Sequence, residues 1–119
     1  MPTKIISTAN AEHYKWGGPN NDQSDGWYLV KTDELNIIEE LMPPGASEAR
    51  HYHKKARQMF YVLSGELMME VEHHDFVVHA GEGIEVSPGQ EHQAKNRCTA
   101  DARILVISQP PSHDDRVDV

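Results

Sequence analysis

Cysteine is almost missing from this chain: Cys98 stands alone among 119 residues, so no internal disulfide can form. Basic residues are also scarce, with 11 Lys and Arg against 19 Asp and Glu and a net charge of −8. That balance argues against a nucleic-acid backbone as partner, and equally against an anionic membrane surface. No apolar run reaches signal-peptide or membrane-spanning length, the opening MPTKIISTAN included, so a soluble, cytoplasmic protein is expected. Repeats and low-complexity tracts are absent too, and no stretch carries a convincing helical period. The length fits one domain over 1–119, large enough to bury a core without disulfide staples.

What the chain does contain is many short strand-like runs broken by turn residues. Expected strands are Thr3–Thr8, Trp27–Lys31, Leu35–Met42, Ala49–His53, Gln58–Ser64, Glu66–Glu72, Phe76–His79, Ile84–Val86, His92–Asn96 and Arg103–Ser108. Residues 17–26 (GGPNNDQSDG) read as a loop, and His73-His74-Asp75 as a hairpin turn. Nine or ten short strands in one domain favour a sandwich or closed barrel, because open edges must be removed. The core is expected over about 27–109, with the polar tail 110–119 on the surface or frayed.

Two runs far apart in the chain carry the chemistry: HYHKKARQ at 51–58 and GEGIEVSPGQEH at 81–92. They supply His51, His53, Gln58 and His92, three imidazoles and an amide carbonyl, a full donor set for one divalent transition metal. Alternate residues of a strand share a face, so His51 and His53 can aim at one atom while Tyr52 faces away. Arg50, Lys54, Lys55 and Arg57 crowd the same stretch. They read either as a solvated loop or as a positive field steering an anionic ligand. By parity Arg50 and Arg57 face away from the metal. His73 and His74 read as exposed turn residues, and His13, His79 and His113 lack partners at ligand spacing.

The spacing of these runs resembles the two motifs of the cupin superfamily. Gly45, His51-x-His53, position 58 and Gly65 match the first motif, with Gln58 where the family usually has Glu. Gly81, Pro88-x-Gly89, His92 and Asn96 match the second, with Ser87 in place of its first Pro. The resemblance implies an all-β jelly-roll barrel with one divalent metal (Zn, Ni, Mn or Fe) on His51, His53, Gln58 and His92. A neutral Gln leaves the site its full +2 charge, which favours Lewis-acid chemistry on anionic oxygen ligands. Gln at this position also occurs in cupins that open unsaturated uronate rings and in some polyketide cyclases.

The expected activity is therefore an isomerase, epimerase, lyase or ring-opening step on a small anionic or carbohydrate-derived molecule. The alternatives are an iron-dependent dioxygenase and a non-catalytic small-molecule binder or sensor. Strand parity puts Ser47, Phe60, Val62 and Ala94 on the pocket side, and either Glu39 or Glu40 inward as a candidate general base. Trp27–Val30 with Met59, Tyr61 and Leu63 would form the homodimer surface common in cupins.

Overall fold

The computed structural model describes residues 3–18 and 23–119. Its strands are β1 (Glu12–Trp16), β2 (Ser24–Lys31), β3 (Asn36–Met42), β4 (His51–His53), β5 (Arg57–Ser64) and β6 (Glu66–Val71). There follow β7 (His74–His79), β8 (Gly83–Val86), β9 (His92–Lys95), β10 (Ala102–Gln109) and β11 (Arg116–Asp118). They form a six-stranded sheet in the order β1-β2-β3-β10-β5-β8 and a five-stranded sheet β11-β4-β9-β6-β7. Every pairing is antiparallel. Among the described residues no helix is long and apolar enough to cross a membrane.

Alternation decides which side chains enter the space between the sheets. Along β10 Ala102, Ile104, Val106 and Ser108 are buried while the residues between them are half-exposed. β5 turns Gln58, Phe60 and Val62 inward and leaves Tyr61 and Leu63 exposed on its other face. Register then stacks these inward residues into rows. Asn36–Ser108–Gln58 is a polar row, Ile38–Val106–Phe60 an apolar one, and Glu40–Ile104–Val62 lies beyond. The core proper, with Met42, Val62, Leu67, Met69 and Ile104 fully enclosed, fills one end of the barrel. Each such side chain contributes roughly 1.5–3 kcal/mol by leaving water. The polar row lies toward the other end, where the histidines are.

Two backbone features of the spacing motifs are structural. Gly65 has φ +78°, and a Cβ there would stand 2.3 Å from the Asp101 carbonyl oxygen, so only glycine fits the β5–β6 turn. Buried Asn96 donates to the carbonyls of Met42 and Ala100 and accepts from the Cys98 N–H, pinning the end of β9.

Several expected boundaries move. Thr3–Thr8 is not a strand: Ile5 is almost fully exposed, and a turn at Ser7–Asn10 follows. The first strand is instead β1, whose EHYKW sequence pairs with β2. The expected loop 17–26 ends early, because Ser24, Asp25 and Gly26 open β2. Gly26 is needed there, since a Cβ would collide with the Tyr14 ring at 2.3 Å. Residues 19–22 of that loop lie outside the described residues. The β6–β7 turn is Glu72-His73, both at positive φ, as a two-residue hairpin turn of primed type requires. His74 and Asp75 therefore belong to β7. The tail does not fray. It contributes β11, which pairs with β4 in the register Arg116↔His53 and Asp118↔His51.

Candidate metal centre

His51 and His92 lie directly opposite each other across the β4–β9 pair, which sets their Cβ atoms about 5 Å apart. His53, two residues along β4, shares the inward face with His51. All three are buried, and one ring nitrogen from each falls within 4.8 Å of the others. Gln58 reaches the same space from β5 in the opposite sheet, so the centre bridges the two sheets.

The tautomers are fixed by what each Nδ1 touches. His51 Nδ1–H donates to the Ala49 carbonyl at 2.7 Å, and His92 Nδ1–H to the Gln90 carbonyl at 3.0 Å. His53 Nδ1–H donates to Asp115 Oδ1 at 2.9 Å. Since these partners accept, each neutral ring keeps an unprotonated Nε2 lone pair. This is how metal-binding histidines are commonly held. Burial lowers the pKa of His51 to about 3 and of His92 to about 4, and it lowers His53 as well. Near neutral pH no proton has to leave before a cation can bind.

Four buried side-chain atoms among the described residues lack a hydrogen-bond partner, Ser24 Oγ, Asn36 Oδ1, His92 Nε2 and Gln58 Oε1, and the last two belong to this cluster. The Gln58 amide donates through Nε2 to the hydroxyls of Ser108 (3.0 Å) and Ser112 (3.5 Å), leaving its carbonyl free. An unsatisfied buried acceptor costs about 1–3 kcal/mol. A cation shared by His92 Nε2 and Gln58 Oε1 would remove that cost, so the donor set fits a divalent transition metal. The cluster could hold a metal.

Beside it lies a cavity of about 380 Å³. Its wall is aromatic at Tyr14, Trp16, Tyr28 and Phe60 and polar at Glu40, Glu48 and Arg116. Glu40 is the inward member of its pair; Glu39 faces out and binds Arg103 at 2.7 Å. Burial raises Glu40 to about 8, with the negative charge of Glu48 adding to it, and raises Glu48 to about 7. Of the four pocket residues expected from parity, Phe60 lines the cavity. Val62 and Ala94 lie in the hydrophobic core, and Ser47 bridges to Lys95. Alternation fails between Gly45 and Arg50 because regular strand resumes only at His51, and so Glu48, not Ser47, turns inward.

The cationic stretch does not face the cavity as a field. Arg50 pairs with Glu70 and Arg57 with Glu85. Lys54 and Lys55 line a separate groove with Asp114 and Asp115. The cation at the cavity is Arg116 from the tail, set opposite His53 by the β4–β11 register. Asp115 also accepts the N–H groups of Lys55 and Ala56 at 2.8 and 3.0 Å, while Ser112 and His113 complete the wall. His73 and His74 are exposed in the hairpin and touch no part of the cluster.

A cupin-domain family model matches residues 38–108, more than half of the chain. The chain is a cupin. It is 30% identical over 88 residues to the uncharacterised protein MJ1618 of Methanocaldococcus jannaschii, covering 73% of this cupin and 70% of that protein. It is 29% identical over 69 residues to the tetracenomycin polyketide synthase protein TcmJ of Streptomyces glaucescens, covering 58% of this chain. The match spans only 46% of TcmJ's own length. The solved polyketide cyclase RemF of Streptomyces resistomycificus superposes with a TM-score of 0.84 at 18% identity, over 99% of this chain and 86% of that one. At that identity the likeness establishes the double-stranded β-helix fold.

Proposed function

We propose that this cupin is a metal-dependent enzyme of the Lewis-acid kind, holding one divalent transition metal (Zn, Ni, Mn or Fe) on His51, His53, Gln58 and His92. It acts on a small anionic, carbonyl-bearing molecule by proton transfer beside the carbonyl, the step common to isomerisation, epimerisation, elimination and ring opening or closure. The observation that carries this reading is the pair of orphaned acceptors, Gln58 Oε1 and His92 Nε2, in a cluster whose three Nδ1 atoms are all tied down, so that every Nε2 is left for a cation. When bound, the metal would polarise a carbonyl oxygen and stabilise negative charge that develops on it. With four neutral protein donors the ion keeps its +2 charge, which suits a carboxylate-bearing ligand.

The chain's own residues would do the rest. The four aromatic side chains suit a flat, unsaturated ligand and exclude water from one side of it. Arg116 offers a guanidinium to an anionic group at the cavity wall. The sequence similarity to TcmJ, a tetracenomycin polyketide synthase protein, supports chemistry on a small molecule.

The test begins with metal content of purified protein, followed by an NMR screen of 2-oxo acids, unsaturated uronates and sugar phosphates in D2O. The reading expects bound metal and a turnover or proton exchange that stops on chelation and returns with added metal. Oxygen consumption accompanying turnover, or a metal-free protein with no restorable activity, would sink it.

A further inference from the structure

Two carboxyl groups inside the cavity, Glu40 and Glu48, are unusual in what they lack. Most other inward or half-buried acids of the chain meet a cation or histidine: Glu39 has Arg103, Glu70 has Arg50 and Lys95, Asp115 has His53. Among the described residues neither Glu40 nor Glu48 has a cationic nitrogen within 4.0 Å, though both line the cavity beside His51, His53 and the orphaned carbonyl of Gln58. Glu40 projects from β3 and receives the Tyr14 hydroxyl at 3.4 Å on Oε2. Glu48 comes from the opposite side, where its Oε1 accepts the Ala94 N–H at 2.9 Å. Tyr28 on β2, Arg116 on β11 and His113 are the other titratable or charged groups among the described residues of the wall.

We propose that Glu40 and Glu48 act as one acid–base pair, sharing a single proton and moving it to and from the carbon beside a substrate carbonyl. The proposal rests on the metal-assisted reading above and adds to it the residues that handle the proton. Two carboxyls lining one cavity, with no cationic nitrogen within 4.0 Å and Arg116 acting only from farther along the wall, cannot both ionise cheaply, and the raised values of both groups agree with one retained proton. The roles follow from their partners. A backbone N–H on Glu48 favours its ionised form, so Glu48 is the base: the substrate C–H breaks, its proton goes to Glu48, its electron pair becomes the enolate double bond, and the carbonyl pair moves to oxygen. Glu40 is the protonated member and returns a proton to carbon as that double bond closes back. Proton exchange between the two carboxyls then restores the pair.

The experiment uses zinc-loaded protein labelled with 13C-glutamate, in wild type, Glu40→Gln, Glu48→Gln and the outward control Glu39→Gln. An infrared pH titration is expected to show one protonated glutamate carboxyl persisting at neutral pH in wild type and Glu39→Gln, and lost in Glu40→Gln. With pyruvate as the probe, zinc-dependent exchange of its methyl protons in D2O should fall at least about 100-fold in either inward variant at unchanged zinc content. If all glutamates are ionised at neutral pH, or exchange survives both inward substitutions, the pair is refuted. If wild type shows no zinc-dependent exchange, the metal-assisted reading fails instead, and the infrared band alone decides the pair. Should a glutamine variant not fold, Glu40→Asp and Glu48→Asp take its place, expected to keep the band and slow the exchange; full-rate exchange would overturn the proposal.

Discussion

Converting Gln58 to Glu adds one negative charge to the donor set while changing little else, and its effect on ligand binding can be worked out in advance. The amide now donates to Ser108 and Ser112, but a hydroxyl donates as readily as it accepts. Both serines can turn and donate to a carboxylate, so Gln58→Glu should fold and retain metal. Two oxygens bound to one metal at about 2 Å each lie roughly 3–4 Å apart. A unit charge at about 4 Å interacts by about 4 kcal/mol at an effective dielectric of 20 and about 1 kcal/mol in water. The cavity reaches exposed Arg116, so the lower half of that range applies, about 1 to 2.5 kcal/mol, a weakening of roughly 5- to 70-fold. Calorimetric titration of zinc-loaded wild type and Gln58→Glu with pyruvate reads that change, and pyruvamide, the uncharged counterpart, should bind both alike. Equal weakening of pyruvate and pyruvamide would refute the charge argument, and loss of zinc from the variant would refute Gln58 as a ligand.

Four further outcomes are expected. His51→Ala should purify without its metal, and unchanged metal by mass spectrometry would refute the site. Asp115→Asn, which weakens the anchor of His53 and the cap on the Lys55 and Ala56 amides, should lower zinc affinity about 10- to 100-fold in a chelator competition, with circular dichroism unchanged. Metal-free protein should be most stable near pH 6.5. The histidines are depressed below their unfolded value of about 6.5, so their contribution is complete above that pH and lost as it falls toward 4. Glu40 and Glu48 are raised, so theirs is complete at low pH and lost as pH rises toward 8; thermal unfolding across that range reads the sum, and a monotonic rise to pH 8 would refute it. The exposed face of β5 at Tyr61 and Leu63 is expected to join two copies, so light scattering should read a dimer for wild type and a monomer for Leu63→Lys; a monomeric wild type would refute this.

What the sequence made legible, and what it hid, divides along a physical line. The histidine cluster and the inward Gln58 were readable because β4, β5 and β9 are regular, and in regular strands alternation assigns a face to every residue. Once His51 was inward, so was His53; once Phe60 was, so was Gln58. Phe60 and Glu40, on regular strands, were legible too, whereas the other cavity residues escaped because they come from places where local sequence gives no such guide. Glu48 sits in a segment broken by Pro43-Pro44-Gly45, and Tyr14 and Trp16 lie in a strand whose partner, β2, starts inside a Gly- and Asn-rich stretch. Arg116 and Asp115 are in a tail whose composition reads as solvent-exposed; nothing local signals that β11 will pair with β4 and set Arg116 opposite His53. A signal did exist in hindsight: SHDDR packs three ionisable types beside a hydroxyl, in a chain otherwise poor in basic residues.

The division has a functional consequence. Donors that must meet one ion within a few tenths of an ångström are carried on paired strands, where register fixes them. Some of the other cavity groups, Glu48, Ser112 and His113, come instead from segments outside the strands, which can change without disturbing the proposed ligands. In this cupin the two sets are joined at Asp115, which holds His53 of the candidate metal cluster from the tail that also carries Arg116. Metal affinity and ligand selectivity should therefore be separable by mutation everywhere except there. Arg116→Ala should alter anion binding at constant zinc affinity, whereas Asp115→Asn should shift both; zinc affinity falling equally in the two variants would show that the tail acts as one unit.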